Sequence, residues 1–410
     1  MSTMTIQYVL PQSWLRYDPL EIVPQLTEAK AAVMALTSMP FQRSWAEKLQ
    51  EIELKREVAG TSRIEGAEFT EREFDEAVAV ETPQGQMTRS QKQARAAMRT
   101  YRWISKLPTD RPISEDLVKE IHRNIVTDCD DDHCPPGVTR GSDQNVSFGR
   151  PRHRGANGGD ECTTAFKRLI GAVNQEFRGH DPLVQALALH YHMGAIHPFH
   201  DGNGRSARAL EALLLQRAGL KDALFISMSN FYYDEKDQYL KILSTVGTRG
   251  HDMTEFLKFG LQGLSLQCHR LLGEIRRHLS ISLFRDVTGK MYGRLASTKK
   301  RALAARQVAL LESLLDRGVP YNLAELYKNS HADYKDLKEM QRAFIRDLNQ
   351  LITLGAIHLT WAHPDKRTQG DWSHILVNVR LAWATEITET EFYKQIDKMA
   401  PAKTRFLRVN

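Results

Sequence analysis

The densest chemistry in this chain lies in Ile196–Arg208, which reads I-H-P-F-H-D-G-N-G-R-S-A-R. Apolar helical patterns run into it over Pro182–Ile196 and out of it over Ser206–Ala218, so the polar residues belong to a loop that opens a helix. A helix N-terminus carries unpaired N–H groups and partial positive charge, and binds anions. Gly202 and Gly204 let the backbone turn tightly and approach a ligand without a Cβ clash. With Asn203 between them they form a candidate phosphate nest. Arg205 and Arg208 fall in the first turn of the outgoing helix, where forked guanidiniums can hold further phosphate oxygens. Asp201 is a hard oxygen ligand suited to Mg²⁺ bridging phosphates. His197 carries an imidazole, which ordinarily titrates near neutrality as a general base should. Phe199 alternates with His197 and Asp201 and is expected to point into the core and pin the loop. The set describes a site that holds a nucleotide phosphate beside a proton acceptor.

The run His197-Pro198-Phe199-His200-Asp201-Gly202-Asn203-Gly204-Arg205-Ser206-Ala207-Arg208 resembles the full Fic-family signature, H-x-F-x-[D/E]-G-N-G-R-x-x-R, at every defining position. The resemblance implies a mainly α fold: a Fic helical core with a small β-hairpin flap. It implies transfer of AMP from ATP to a Ser, Thr or Tyr hydroxyl of a target protein, and of the chain itself. His197 would deprotonate the hydroxyl and Asp201 would hold Mg²⁺. Gly202, Asn203 and Gly204 would form the anion hole, and Arg205 and Arg208 would handle the phosphates.

A second segment, Val58–Gly66, reads V-A-G-T-S-R-I-E-G and resembles the inhibitory motif of many Fic proteins, [S/T]-x-x-x-E-[G/N], with Thr61, Glu65 and Gly66 at its fixed positions. On a helix Thr61 and Glu65 share one face, and Gly66 would end that helix. The resemblance implies that Glu65 pairs with Arg208 and puts negative charge where the γ-phosphate should lie. Short of that resemblance, the segment reads as a capped, solvated helix end.

Cys129–Cys162 is the longest polar stretch with little helical pattern. Gly137-Val138-Thr139-Arg140 and Asn145–Gly149 fit the place of the Fic flap, so Val146, Ser147, Phe148 and Gly149 are expected to dock the target chain as an added strand. The same stretch raises zinc: Cys129, Cys134 and Cys162, with His133 or His153, could supply three sulfurs and a nitrogen. The alternative is free thiols. In Fic proteins a region like Ile226–Leu243 borders the adenine, which nominates Tyr232, Tyr233 and Tyr239. Here Lys236 and Tyr239 align with the family pattern N-R/K-x-x-Y-Y, while Glu235 and Leu240 depart from it, and Phe231–Tyr233 as core is the competing reading. His190 and His192 are read as packing or hydrogen-bonding residues.

Several further helical patterns must position these groups. They cover Ile22–Leu36, Arg43–Val58, Arg72–Val80, Ser90–Ile104, Pro112–Val126, Thr164–Phe177 and Thr254–Leu279. A Pro83-Gln84-Gly85 break separates the third from the fourth, and Ser114 is the expected N-cap of the fifth. A basic junction, Lys290–Arg306, leads to helices over Ala304–Asp316, Leu323–Lys328 and Lys335–Leu354. Strands over Ile357–Trp361 and Ile375–Leu381 then flank a polar turn, Pro364–Gly370. That order resembles a winged helix. Its third helix mixes Lys335, Lys338, Arg342 and Arg346 with Asp336, Glu339 and Asp347. Even with Lys366 and Arg367 in the wing, the mixed signs favour protein docking or a homodimer over DNA. The expected division is 1–110 as a helical region carrying the inhibitory motif, 111–285 as the Fic core, and 286–410 as the winged-helix domain and tail.

Length and composition set outer bounds. The chain has 410 residues, 41% hydrophobic and 26% charged, with net charge +6, which suits two or three globular domains. The basic balance is compatible with nucleotides, acidic partners or nucleic acid. Four cysteines are too few for a disulfide scaffold. No apolar run reaches membrane length and the start lacks a secretory pattern, so a cytoplasmic protein is expected. Three alternatives to AMP transfer stay open. One is a different nucleotide or a phosphocholine donor. Another is removal of AMP with Glu65 assisting a water. The third is a nucleotide-sensing DNA-binding regulator.

Overall fold

Several helices start where a short polar side chain caps the first turn. The computed structural model describes residues 5–39, 43–79, 86–129, 134–149, 151–220, 225–295, 298–362 and 372–398. His133, the Pro83-Gln84-Gly85 break, the turn Pro364–Gly370, and with it Lys366 and Arg367, lie outside the described residues. Asp18 accepts the Leu20 N–H at 2.9 Å to cap α1 (Pro19–Thr37), and α2 (Arg43–Ile64) follows. Reciprocal capping boxes open α3 (Glu71–Val78), with Thr70 and Glu73, and α4 (Arg89–Ile104), with Thr88 and Gln91. Ser114 caps α5 (Glu115–Val126), as its sequence position requires. Then come α6 (Asp160–Asn174), α7 (Pro182–Ile196) and α8 (Asn203–Leu215), followed by α9 (Met228–Asp234), α10 (Lys236–Thr248) and the long α11 (Thr254–Gly293).

The chain divides into two compact units, one running to Gly273 and one starting at Glu274. In the first, α7 is the central element. It is buried on nearly all sides, from Leu183 to Ile196, as expected of a helix that is apolar all round. It packs against α6 and α8. The N-terminal helices belong to this same body, because α2 packs on α4, α8 and α9. A three-stranded sheet covers one side, in the order β1 (Ile6–Gln7), β3 (His153–Arg154), β2 (Ser147–Phe148). The expected hairpin flap is therefore present as β2 and β3. It gains a parallel strand from the N-terminal arm, with Ile6 opposite His153.

In the second unit, α12 (Thr298–Arg317), α13 (Leu323–Asn329), the short α14 (His331–Tyr334) and α15 (Met340–Thr353) precede α16 (Trp383–Glu386) and α17 (Glu389–Lys398). An antiparallel sheet orders β4 (Tyr321–Asn322), β6 (Ile375–Val379) and β5 (Ile357–Trp361). Phe344, Leu348, Leu351, Val377 and Phe392 form its core. The helix expected over Lys335–Leu354 begins later, at Met340. Tyr334, packed on Phe344 and donating to the buried Asp347 at 3.1 Å, holds the preceding residues in a separate turn.

The approach of α2 to α9 depends on Gly60. A Cβ there would lie 2.6 Å from the Ser229 carbonyl and the Asn230 nitrogen. Gly60→Ala is expected to destabilise the first unit by about 1–3 kcal/mol through overpacking, seen as a lower thermal midpoint by calorimetry. An unchanged midpoint would show that the two helices are not locked there.

Candidate active site

Helix α7 ends on His197, whose φ of 54° and ψ of 58° are left-handed, an uncommon state for a residue with a Cβ. The carbonyls around it would lack partners at a helix C-terminus. Arg140, 2% exposed, supplies them. Its Nε donates to His197 O at 2.7 Å, and its Nη2 donates to Ala156 O at 2.6 Å and Ile196 O at 3.4 Å. Its Nη1 donates to Gln144 O at 2.7 Å, and its main-chain N–H to Pro198 O at 3.0 Å. One guanidinium thus ties the end of α7 to the flap. The His197 ring stacks on Phe148 with centroids 3.9 Å apart and planes 9° off parallel. Its Nδ1 lies 3.0 Å from Gly194 O. A carbonyl only accepts, so Nδ1 carries the hydrogen and Nε2 keeps a lone pair. Burial, helped by the charge of Arg140, pushes the His197 pKa down to about 4 against the pull of the Gly194 carbonyl. The imidazole is therefore unprotonated at neutral pH, well below the near-neutral titration its type suggests.

The loop after His197 is knotted by side chains. Phe199 is fully buried, as expected, and stacks on His122 at 3.7 Å. His122 Nδ1 accepts from Gly137 N at 2.9 Å, so its Nε2 donates to Asp201 O at 2.9 Å. Burial pushes its pKa down to about 4. Asn203 bonds both main-chain groups of Phe199, accepting from N at 2.9 Å and donating to O at 2.8 Å. The Asn203 side chain thus braces the loop from the first residue of α8. Gly202 is tied into the same loop. Its N–H already donates to Asp201 Oδ1 at 2.6 Å, so the nest is narrower than three amides. Gly202 has φ +73°, and a Cβ on it would meet Val126 at 2.7 Å, which accounts for the glycine. Arg205 is buried, with Nη2 3.6 Å from Asp201 Oδ2.

Helix α2 delivers the other half of the site. Gly66, at φ +88°, closes it with a Schellman pattern: Gly66 N–H to Arg63 O at 3.1 Å and Ala67 N–H to Ser62 O at 3.0 Å. Arg208 Nη2 meets Glu65 Oε1 at 2.5 Å, and Arg208 Nε donates to Thr61 Oγ1 at 2.8 Å. A Cβ on Gly204 would stand 2.4 Å from Glu65 Oε1, so the carboxylate rests on the first turn of α8. Burial raises the Glu65 pKa, but Arg208 and Arg205 outweigh it and hold the group ionised below its ordinary value. Burial likewise disfavours the Arg208 charge, and Glu65 more than restores it.

One turn behind Thr61 lies a residue that sequence reasoning missed. Glu57 is buried, accepts from Ser229 N at 2.8 Å, from Ser229 Oγ, and from Tyr101 OH at 2.9 Å. Burial pushes its pKa up to about 7. Glu57, Thr61 and Glu65 recur every four residues, the one signal that could have disclosed this stripe.

Part of this set opens on a cavity of about 460 Å³. Glu65, His197, Asp201, Gly204 and Arg208 line one part of its wall, and Ile6, Phe148, Leu240, Leu243 and Gly247 another. Val146, Phe148 and Gly149 of the flap line it, and Ser147 lies on the edge strand β2. Of the three tyrosines nominated for the base, only Tyr239 lines the cavity. Tyr232 is fully buried and donates to Glu211 at 2.8 Å, while Tyr233 packs by Arg63 at 5.8 Å. The core reading therefore holds for Tyr232. His190 bonds Glu211 and Tyr239, and His192 bonds Trp14 O at 2.6 Å, so both are structural.

The zinc expectation is corrected. Among the described residues no group of three or more potential ligands is brought together. Cys129, Cys134 and Cys162 are each buried. Their sulfurs lie by different main-chain oxygens, those of Ile125, Asp201 and Pro198, and His153 sits on the flap. No helix among the described residues is long and apolar enough to cross a membrane.

The cavity thus sets a loop that opens a helix beside a buried imidazole. Residues 112–215 match the model of the Fic/DOC family. Over those residues the chain is similar to a family whose members are generally transferases. In solved structures it resembles a Fic family protein from Desulfovibrio desulfuricans G20, at 18% identity and TM-score 0.54, over 90% of this chain and 98% of that one. It also resembles Fic-1 (residues 134–508) from C. elegans, at 18% identity and TM-score 0.52, over 63% of this chain and 74% of that one. At such identities the likeness speaks for the fold.

Burial holds three histidines neutral, His122 and His197 with pKa about 4 and His192 about 3. Unfolded histidine takes a proton near pH 6.5. Between pH 6.5 and 4 the unfolded chain therefore binds more protons, and stability falls as pH falls. Glu57, raised to about 7, works in the opposite sense, but with one proton against three, so urea midpoints across that range should still decline, and a flat profile would contradict the assignment.

Proposed function

We propose that this protein transfers AMP from ATP to a hydroxyl side chain of a target protein and that Glu65 holds the reaction back. One observation carries the reading. The ionised carboxylate of Glu65 rests on the start of α8 and against Arg208, in the cavity lined by the neutral ring of His197. An anion subsite already filled by the chain's own anion, beside a base, is the arrangement expected of a restrained phosphate-transfer site.

With Glu65 withdrawn, a triphosphate takes its place, and the amides of Asn203 and Gly204 and the guanidiniums of Arg205 and Arg208 bind its oxygens. The target hydroxyl oxygen attacks the α-phosphorus while its proton passes to His197 Nε2. The new O–P bond forms as the bond from the α-phosphorus to the bridging oxygen breaks, and pyrophosphate leaves on the arginine side. In-line positioning and charge neutralisation supply most of the acceleration. Asp201 lines the cavity with one carboxylate, which fits Mg²⁺, an ion that keeps waters and takes its other ligands from phosphates. When bound, Mg²⁺ neutralises phosphate charge.

The target backbone adds to the open edge of β2, since β1 fills the far edge of β3. In the second unit Arg342 pairs with Glu339 and Arg346 with Asp347. Such paired charges support a protein-docking role there over phosphate tracking.

With labelled ATP and Mg²⁺, Glu65→Gly should raise label transfer on the order of tenfold or more. Adding His197→Ala should then cut it roughly 10²–10⁴-fold. Equal labelling in all three proteins would defeat the proposal.

A further inference from the structure

We propose that His153 selects the base of the nucleotide, because its Nε2 accepts a hydrogen bond from an exocyclic amine and so favours a 6-aminopurine over a 6-oxopurine. The inference deepens the nucleotide-transfer reading of this cavity and rests on it.

The ring is fixed by its own strand. His153 lies on β3, between β2 and the N-terminal strand, opposite Ile6 on one side and Phe148 on the other. Its Nδ1 is 2.9 Å from Pro151 O. That oxygen can only accept, so the hydrogen of the neutral ring sits on Nδ1 and Nε2 offers a lone pair and nothing else. Nε2 is buried and has no hydrogen-bond partner among the described residues. An unmet buried acceptor is costly, and its presence on a cavity wall marks the place of a ligand donor.

The surroundings say which part of the nucleotide arrives there. His153 lines the cavity together with Ile6, Phe148, Leu240 and Leu243. A Cβ at Gly247 would lie 3.4 Å from Nε2 and 4.0 Å from Ile6 Cγ2. This wall is mostly apolar, and its glycine leaves a flat surface beside the ring, as a planar base requires. A phosphate oxygen would set lone pair against lone pair at Nε2, and the phosphates have their own place at Gly204 and Arg208. Between bases, the 6-amino group of adenine presents N–H to Nε2, whereas the 6-oxo group of guanine presents a second acceptor. The discrimination is of the kind that an oriented polar group makes well and an apolar pocket makes poorly.

The test uses the full chain in the Glu65→Gly background with Mg²⁺, comparing α-labelled ATP with α-labelled purine riboside triphosphate, which lacks the 6-amino group. With His153 present, kcat/KM for label transfer should favour ATP by roughly five- to tenfold. In His153→Leu the ratio should fall to about one. An unchanged ratio in His153→Leu would overturn the role of His153 and leave the transfer reading standing. If neither triphosphate labels the Glu65→Gly parent, the transfer reading fails and this inference falls with it. Should His153→Leu lose its fold by circular dichroism, His153→Gln carries the test. Its amide can turn either an oxygen or an N–H toward the base, so GTP should gain on ATP, and an unmoved ATP-to-GTP ratio would refute the proposal.

Discussion

The grip of Arg140 on the carbonyls at the end of α7 is the contact on which the site depends. A helix C-terminus that breaks into a left-handed residue leaves oxygens pointing into the protein, and a buried oxygen needs a donor. Arg140 meets those of Ile196 and His197 from α7 and those of Gln144 and Ala156 from the flap. Only a rigid planar fork with several N–H groups reaches so many acceptors at once, and a lysine would not. The consequence is chemical. His197 has its Nδ1 spent on Gly194 and its face against Phe148, which leaves one nitrogen for a proton. Phe199, His122 and Asn203 then brace the loop behind it.

The second constraint is the seating of α2. Glu57 bonds Ser229 and Tyr101, Gly60 lets the helix approach α9, and Thr61 and Glu65 meet Arg208. The Glu65–Arg208 contact is thus built into the core of the first unit, with its anchor at Glu57 about two turns from its tip. Displacing Glu65 means either bending the last turn, which the left-handed Gly66 makes conformationally accessible, or shifting a helix whose buried carboxylate must keep its three donors.

Much of the site was legible beforehand because its logic is local. The His197–Arg208 run and the Thr61–Glu65 spacing each fit within a few helical turns. Caps at Ser114 and Asn322 sit where short polar side chains precede apolar periods. One flap strand, β2, falls within the Asn145–Gly149 run where the alternation and the resemblance put it, whereas β3, two residues long, carries no alternation to mark it. Illegible were the residues whose roles depend on distant partners. Arg140 and His197 are 57 positions apart, and Glu57 and Ser229 are 172 apart. The tyrosine cluster at 232–239 could not be sorted either, because neighbouring rings on adjoining helices differ only in which way each helix faces the core.

By itself, then, the order of residues determined what chemistry is present: a base, a carboxylate, two arginines and a turn that can face an anion, with a second carboxylate spaced to reach them. Tertiary structure alone decided which of those donors and acceptors are spent and which remain. It consumed the Gly202 amide and the Asn203 side chain inside the loop, dispersed the cysteines among separate carbonyls, and laid the N-terminal arm along β3 beside an unmet ring nitrogen. The reason is that composition and spacing count hydrogen-bonding groups, whereas only packing assigns their partners and removes them from water.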